Sequence, residues 1–308
     1  MPKHPRPGPL ARFIDLYLAQ TARDPFLKPA TKVRREIAVK ALLKTWPGLG
    51  DRDAGTITRT DCQRWGAAAL AKGTGFVAPR ARTRRRGMSA SAFNKCVDAL
   101  RAILGLACEE GAAPENPAKS LRKAPVRRKA LELPSVAQFH AIVERVAKAG
   151  ARQSKDCADM VRLLAYSGAR LREATALRWE DVDLVRGRMV IAGTKSESSN
   201  RVIPIFPPLA DLLVEIRKRR GRRRDRARIL RIRECKGALR SACRAVGVKR
   251  LTHHDLRHLF ATCCIESGVD IPTVSRWLGH ADGGNLAMRT YGHLRQEHSM
   301  AQATKVHF

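Results

Sequence analysis

The sequence is poor in aromatic residues and has no long apolar run. Phe, Trp and Tyr make up 5% of its 308 residues, which argues against a protein that stacks single-stranded bases on aromatic rings. No apolar run approaches the roughly 20 residues that a helix needs to cross a bilayer. The N-terminus lacks the apolar stretch of a secretory signal. We therefore expect a cytoplasmic protein that does not act at a membrane.

Cysteine is present, but not in the spacing of metal or redox motifs. None of the eight Cys residues forms a C-x-x-C pair, so we expect reduced and mostly buried thiols, as in cytosolic proteins. His254 and His258 have the i, i+4 spacing of a helical metal site, but the Glu of an HExxH motif is absent. We expect no metal and no other cofactor.

Arginine is in large excess. The chain has 60 Lys and Arg against 28 Asp and Glu, a net charge of +32, and 43 of the 60 are Arg. Because so much like charge repels itself, a polyanion is the expected partner, and nucleic acid is the first to consider. Arg favours planar, bidentate contacts with phosphate. A ribosomal or RNA-packaging protein would have the same total, so charge alone names no activity.

The first half of the chain is predicted to be a helical bundle. Apolar residues recur at helical spacing from Leu10, and a second helix is predicted around Val33 and Ile37. A third begins at Thr60, and the fourth has Ser89 as its N-cap. We predict a helical domain over 1–116, a Pro-containing basic linker over 117–133 and a second domain over 134–308.

The second half is predicted to mix helices with a few strands. Residues 188–191 and 201–205 have the composition of two short strands, joined by a polar turn over 193–200. The predicted fold class is therefore mainly α with a small antiparallel sheet (α+β). A division after residue 133 leaves 27 basic and 11 acidic residues before it, and 33 and 17 after it. Each half carries +16, so both domains are expected to face the same polyanion.

Three basic segments are candidates for contact with phosphate. The first precedes the fourth helix, where a helix N-terminus favours anions, and the second lies in the linker. The candidate residues of these two segments are Arg80, Arg82, Arg84, Arg85, Arg86, Arg127, Arg128 and Lys129. In the third, 217–233, 11 of 17 residues are basic, which is typical of a solvated face or loop. A solvated loop is an equal alternative for the first segment.

Four stretches of the second half carry residues suited to phosphate chemistry. Gly168 breaks a helix and is followed by Arg170, while Lys195 lies in the predicted hairpin turn. The third stretch begins at Thr252, a natural N-cap, and contains His254, Asp255, Arg257 and His258. The last stretch runs from the Leu-Gly-His sequence at 278–280 to a Tyr. Singly, each has an ordinary structural explanation: a helical Arg pairs with a Glu, and a hairpin Lys is solvated.

Together and in this order, these stretches resemble the tyrosine recombinases, or phage-integrase family. The resemblance rests on five motifs spread over about 125 residues: Gly168-x-Arg170-x-x-Glu173, Thr194-Lys195, His254-Asp255-Leu256-Arg257-His258, Leu278-Gly279-His280 and Tyr291-Gly292-His293. The first half resembles the helical core-binding domain of that family more loosely, and the second half its mixed catalytic domain.

The resemblance implies a role for each motif residue. Tyr291 would be the nucleophile, Arg170 and Arg257 would hold the phosphate oxygens, and Lys195 would be the general acid. His254 would hydrogen-bond the phosphate and accept the tyrosine proton, and His280 would give a further hydrogen bond. The supporting residues would be Glu173, Asp255 and His258.

The implied function is site-specific recombination of double-stranded DNA. One strand is cut through a 3′-phosphotyrosine and exchanged without metal or ATP, by monomers that form a tetramer on paired sites. Two alternatives share the same residues. One is a nicking-closing enzyme similar to type IB topoisomerases, and the other is a catalytically idle DNA-binding protein of the same fold.

Overall fold

The chain folds as two units, Met1–Lys129 and Ala130–Phe308. The computed structural model describes residues 8–71, 87–126, 131–193, 200–221 and 225–280. Within these ranges it contains eleven α-helices and one three-stranded antiparallel sheet. The predicted fold class, mainly α with a small antiparallel sheet, is confirmed.

Four helices surround one apolar core in the first unit. They are α1 (Leu10–Arg23), α2 (Pro29–Thr45), α3 (Arg59–Ala71) and α4 (Ala90–Glu109). α2 forms where it was predicted, but with a different buried face. Val33 and Ile37 are exposed, and α2 buries Ala38, Val39 and Leu42. The predicted face was wrong because Ala38, Val39 and Leu42, and not Val33 and Ile37, form the buried side of the helix.

α4 packs against the other three helices and begins at its predicted cap. The Ser89 hydroxyl accepts a hydrogen bond from the Ala92 amide at 3.3 Å, which satisfies one of the amides left over at a helix start. Beyond the helix, Pro117, Ala118 and Leu121 are buried in the same core. The first residues of the predicted 117–133 linker thus pack within the first unit.

In its described residues, the second unit contains seven helices and the sheet. The helices are α5 (Val136–Ala147), α6 (Ser154–Ser167), α7 (Leu171–Ala176), α8 (Pro207–Arg220), α9 (Lys236–Val246), α10 (His253–Glu266) and α11 (Ile271–Leu278). α6 is the central element, because it packs against α5, α8 and α10 and most of its residues are buried. It ends at Gly168, from which the chain enters the first of the four stretches.

The sheet is a meander with one buried face. Its strands are β1 (Val182–Asp183), β2 (Arg188–Ile191) and β3 (Arg201–Pro204), in the order β1-β2-β3. Met189 pairs with Ile203 across β2 and β3. Both are buried, while Val190 and Val202 face solvent, as expected from the two-residue alternation of a strand. The two predicted strands are therefore present, and β1 is an addition.

Part of the basic run 217–233 is folded into the second unit. The backbone amide of Trp179 donates to the Ala227 carbonyl at 3.1 Å, and that of Ile229 donates to the Leu177 carbonyl at 3.0 Å. Ile229 and Leu230 are buried. The prediction of a solvated loop was wrong for these residues, because apolar side chains between the arginines anchor the segment.

Two arginines of the same run are bound by carboxylates of α6. Arg219 and Arg220 both donate to Asp159, whose side chain is fully buried, and Arg220 also donates to Asp156 at 2.6 Å. Burial raises the pKa of Asp159, and the charges of Arg219, Arg220 and Arg162 oppose that rise. These two positive charges serve the fold of the second unit.

Candidate active site

Arg170 lies at a sharp turn between α6 and α7. Gly168 ends α6 with φ +62°, a left-handed conformation that suits glycine. A Cβ at this position would lie 2.4 Å from Cδ1 of Phe260, so the site has no room for a side chain. Arg170 follows as the N-cap of α7 and is half-buried. The turn thus presents the guanidinium at the start of a helix.

Glu173 fixes Arg170 from within α7. Its carboxylate accepts from the Arg170 backbone amide at 2.9 Å and from the Arg170 guanidinium at 2.8 Å. The same carboxylate accepts from Nη2 of Arg201 at 2.8 Å. Burial would raise the pKa of Glu173, but the hydrogen bonds from Arg201 and Arg170 outweigh it and hold the pKa below its ordinary value. Glu173 is therefore an ionised anchor for two arginines.

Arg257 connects two backbone segments from the middle of α10. Only 3% of this residue is exposed. Its Nη1 donates to the Gly168 carbonyl at 2.7 Å, and its Nη2 donates to the Leu278 carbonyl at 2.5 Å. The end of α6 and the end of α11 are thus held by one guanidinium, which also satisfies carbonyls left over at helix C-termini.

His254 and His258 lie one turn apart on α10. Their rings meet edge to face with centroids 4.6 Å apart. Desolvation and the charge of Arg257 lower the pKa of His254, and Arg170 adds to this effect. Burial and the charge of His254 lower the pKa of His258 to about 4. The neutral form of both imidazoles is therefore favoured at pH 7.

Asp255 orients the start of α10. Its carboxylate accepts from the Thr252 amide at 2.7 Å, and the Thr252 hydroxyl accepts from the Asp255 amide at 3.3 Å. This capping box fixes which residues of the first turn face outward. His253 is buried, with Nε2 accepting from the Cys235 amide at 3.2 Å, while His254 is exposed. The cap therefore fixes the first turn of the helix, in which His253 is buried and His254 lies at the surface.

His280 follows the end of α11. Gly279 closes that helix with φ +65°, and the His280 amide donates to the Ser275 carbonyl at 3.1 Å. A Cβ at Gly279 would lie 3.1 Å from Cδ and Nη1 of Arg201. The turn is therefore packed directly on the arginine that binds Glu173.

The remaining predicted site residues lie outside the described part of the chain. They are Lys195, Tyr291 and the phosphate-contact candidates Arg80, Arg82, Arg84, Arg85, Arg86, Arg127, Arg128 and Lys129. Glu173 hydrogen-bonds Arg170, and Arg257 donates to the Leu278 carbonyl in the 278–280 turn. The sequence analysis missed Arg201, for which the only signal was a charged residue at the start of a strand.

Two further searches concern only the described ranges. No group of three or more His, Cys, Asp or Glu side chains there has the arrangement of a metal site. No helix there has both the length and the apolar character needed to span a membrane.

Comparison with known proteins identifies the family. The model of the phage integrase family matches residues 135–298. Tyrosine recombinase XerA of Thermococcus kodakarensis is 33% identical over 244 residues, which cover 72% of this chain and 79% of that protein.

Two solved structures share the fold. The Tn1549 transposon integrase in complex with a circular intermediate DNA has a TM-score of 0.70 at 16% identity, covering 96% of this chain and 99% of the other. A lambda integrase tetramer bound to a Holliday junction has a TM-score of 0.69 at 17% identity, covering 92% and 78%.

The fold and the family match define a tyrosine recombinase catalytic domain. The chain belongs to the phage integrase family. It is an enzyme of site-specific DNA recombination. The named relatives are recombinases, so neither the topoisomerase-like nor the catalytically idle alternative is favoured.

Proposed function

We propose that this recombinase cuts one strand of duplex DNA with Tyr291, holds the broken end as a 3′-phosphotyrosine and rejoins it to a new partner. The observation that supports this most is the pair of carbonyls held by Arg257. They belong to Gly168 and Leu278, each two residues before a proposed phosphate ligand, Arg170 and His280. One side chain thus ties together three residues proposed to bind the same phosphate.

Arg170 and Arg257 are proposed to bind the non-bridging oxygens of the scissile phosphate. Charge on these oxygens rises in the transition state, and charge-assisted hydrogen bonds from arginine strengthen with it. A guanidinium has five N–H donors in one plane, and Arg257 uses Nη1 and Nη2 to hold the carbonyls of Gly168 and Leu278. His280 adds a further hydrogen bond to the same group.

The proposed step conserves protons and bonds. The Tyr291 oxygen attacks phosphorus, its proton passes to His254, and the bond from phosphorus to the 5′ oxygen breaks. Lys195 gives a proton to that departing oxygen. The lowered pKa of His254, caused by desolvation and by Arg257, keeps the imidazole neutral and ready to accept the proton.

Rejoining is proposed as the reverse of cleavage. A 5′ hydroxyl of the partner strand attacks the phosphotyrosine, Lys195 takes its proton and His254 returns one to Tyr291. The phosphotyrosine bond keeps the energy of the broken phosphodiester, so the scheme uses no ATP and no metal. Glu173, Asp255 and His258 take no part in the transfer and act by orienting their neighbours.

The proposed substrate is a pair of duplex recombination sites, on which the protein assembles as a tetramer. The net charge of +32 supports a DNA duplex as partner, and we assign phosphate contacts to the Arg80–Arg86 and Arg127–Lys129 segments. The lambda integrase structure on a Holliday junction is itself a tetramer, which supports the same assembly here. We propose that the enzyme works in the cytoplasm, associated with the nucleoid when bound to DNA.

Covalent capture tests this proposal and recovers a target. The protein is incubated with a pool of nicked duplexes of randomised sequence, in which release of a short fragment makes cleavage irreversible. DNA that stays on the protein after denaturation is sequenced. We expect the wild type to retain duplexes of one sequence family, and Tyr291→Phe to bind those duplexes without forming an adduct.

Tyr166→Phe is the matched control. Tyr166 is a half-buried tyrosine on α6 whose ring packs against Phe139, and its loss should leave the adduct unchanged. An adduct that survives Tyr291→Phe, or no retained duplex with the wild type, contradicts the proposal. Recovered duplexes that are only rejoined to their original partner, with no recombinant product, indicate nicking and closing instead.

A further inference from the structure

Arg201 is a buried arginine that the proposed reaction does not use. It begins β3, and its side chain is 5% exposed. Nε donates to the Trp277 carbonyl at 2.5 Å, and Nη2 donates to Glu173 at 2.8 Å. The guanidinium therefore reaches from the sheet to two other segments of the second unit.

Both of those segments carry proposed phosphate ligands. Glu173 holds Arg170 with two hydrogen bonds, and Trp277 lies three residues before His280. Gly279 lies against the Arg201 side chain so closely that an added Cβ would be 3.1 Å from its Cδ and Nη1. The Glu173 carboxylate thus links Arg201 to Arg170, and the Arg201 side chain also packs directly against the turn that leads to His280.

Stability alone is a weak reason for such a contact. Removing two charges from water is costly, and well-packed apolar side chains often stabilise a core at least as much as a buried ion pair. What an apolar side chain lacks is direction, whereas the planar guanidinium fixes the angle and the distance of each partner. The contact is therefore better suited to fixing the positions of Glu173 and the Trp277 carbonyl than to stabilising the core.

We propose that Arg201 is a positioning residue for strand cleavage. Through Glu173 it sets the place of Arg170, and through the Trp277 carbonyl and Gly279 it sets the place of the His280 turn. This inference rests on the proposed function, in which Arg170 balances charge on the scissile phosphate.

The test compares two substrates that differ in that charge. One is the duplex recovered by covalent capture, and the other is the same duplex with a methylphosphonate at the scissile position, where a methyl group replaces one charged oxygen. Adduct formation is measured in single turnover for the wild type, Arg201→Met and Arg170→Ala. On the normal duplex, Arg201→Met should be slower by roughly 100-fold, the scale of a small misplacement of a catalytic group.

On the methylphosphonate, the Arg201→Met defect should shrink by at least about tenfold, because less charge remains for a well-placed Arg170 to balance. Arg170→Ala should show the same pattern. A defect of Arg201→Met that is equal on both substrates, or no defect at all, overturns the inference. Equal defects of Arg170→Ala on both substrates, or failure of the wild type to capture any duplex, overturn the proposed function first.

Two variants separate alignment from loss of folding. Arg220→Met removes another arginine whose side chain is 5% exposed and which also bonds carboxylates and a backbone carbonyl, but away from the proposed phosphate ligands. Arg220→Met should slow adduct formation equally on both substrates, or on neither. Arg201→Lys keeps the charge beside Glu173 while its single ammonium does not span both partners. Arg201→Lys should melt close to the wild type. Its rate of adduct formation should be reduced more on the normal duplex than on the methylphosphonate duplex, as for Arg201→Met. Equal effects on both substrates, as expected for Arg220→Met, contradict the assignment.

Discussion

At the scale of single residues, Glu173 is a buried carboxylate whose loss removes the shared partner of two arginines. It pairs with Arg170 and with Arg201, whose side chain is buried. Removing one partner of a buried ion pair costs about 3–5 kcal/mol. Glu173→Gln should therefore lower the free energy of unfolding at pH 7 by about 3 kcal/mol, measured by urea denaturation.

The same prediction has a pH signature. Because hydrogen bonds depress the pKa of Glu173 despite its burial, its stabilisation is present above the unfolded value of about 4.3. It is lost as the pH falls through the lower folded value. The difference in the free energy of unfolding between the wild type and Glu173→Gln should therefore become smaller below pH ~4. Glu180→Gln, at an exposed ion pair, should cost under about 0.5 kcal/mol; an equal cost for both variants contradicts the buried pairing.

His258 gives a second pH-dependent prediction. Burial and the charge of His254 lower its pKa to about 4, from an ordinary value of about 6.5. Between these values the unfolded chain takes a proton that the folded chain refuses, so stability falls as the pH drops. His258→Gln should remove up to about 3 kcal/mol of that fall between pH 7 and pH 4. His140→Gln, at an exposed His of α5, is the control and should follow the wild type.

Residue-scale prediction from sequence is most specific where chemistry restricts the residue type. Arg170, Glu173 and Arg257 were singled out by their motifs; Glu173 hydrogen-bonds Arg170, and Arg257 hydrogen-bonds the Gly168 carbonyl of the same motif. Arg201 was assigned only to a strand. Its role depends on the closeness of Glu173 and Trp277, 28 positions before it and 76 after it, and no local pattern reports contacts at that separation.

At the scale of secondary-structure elements, the α6–α7 turn depends on the absence of a side chain. Gly168→Ala forces a left-handed conformation on alanine and brings its Cβ to 2.4 Å from Phe260. Each effect costs about 1–2 kcal/mol or more, so we expect a loss of about 3 kcal/mol or more by thermal or urea unfolding.

Gly237→Ala is the matched control for that turn. Gly237 lies in α9 with no atom within 4 Å of an added Cβ. Since alanine favours a helix over glycine by about 1 kcal/mol, this variant should be neutral or more stable. Similar losses for the two variants contradict a specific steric requirement at position 168.

Elements were predicted better than their faces. All four helices of the first unit and both predicted strands are present, because hydrophobic period and caps are local properties. The buried face of α2 was predicted on Val33 and Ile37, which are exposed. The choice between two apolar faces depends on which one α4 meets, and that is a tertiary contact.

At the scale of the whole molecule, charge should dominate affinity for DNA. A protein that neutralises six to ten phosphates loses roughly 10³–10⁵ in affinity between 50 and 200 mM salt. With a net charge of +32, we expect a loss in that range for a duplex followed by fluorescence anisotropy. A fall of less than about tenfold contradicts extensive phosphate contact.

Part of that charge should not count in the salt dependence. Arg220 is buried against Asp156 and Asp159, so Arg220→Met should leave the salt slope of the folded protein unchanged. The order of the motifs was sufficient to identify the family from sequence. The division of the positive charge between DNA and internal carboxylates was not, because it depends on which arginines lie beside α6.

The grip of Arg257 and Arg201 on backbone carbonyls has a consequence for protein engineering. Gly168, Trp277 and Leu278 contribute oxygens that every amino acid possesses. The side chains at 277 and 278 are then constrained by packing and not by hydrogen bonding. A library that varies these two positions among apolar residues of similar volume can explore new neighbours while the main-chain frame of the site is kept. Arg201 and Arg257 themselves cannot be varied in this way, because their side chains donate the hydrogen bonds to these carbonyls.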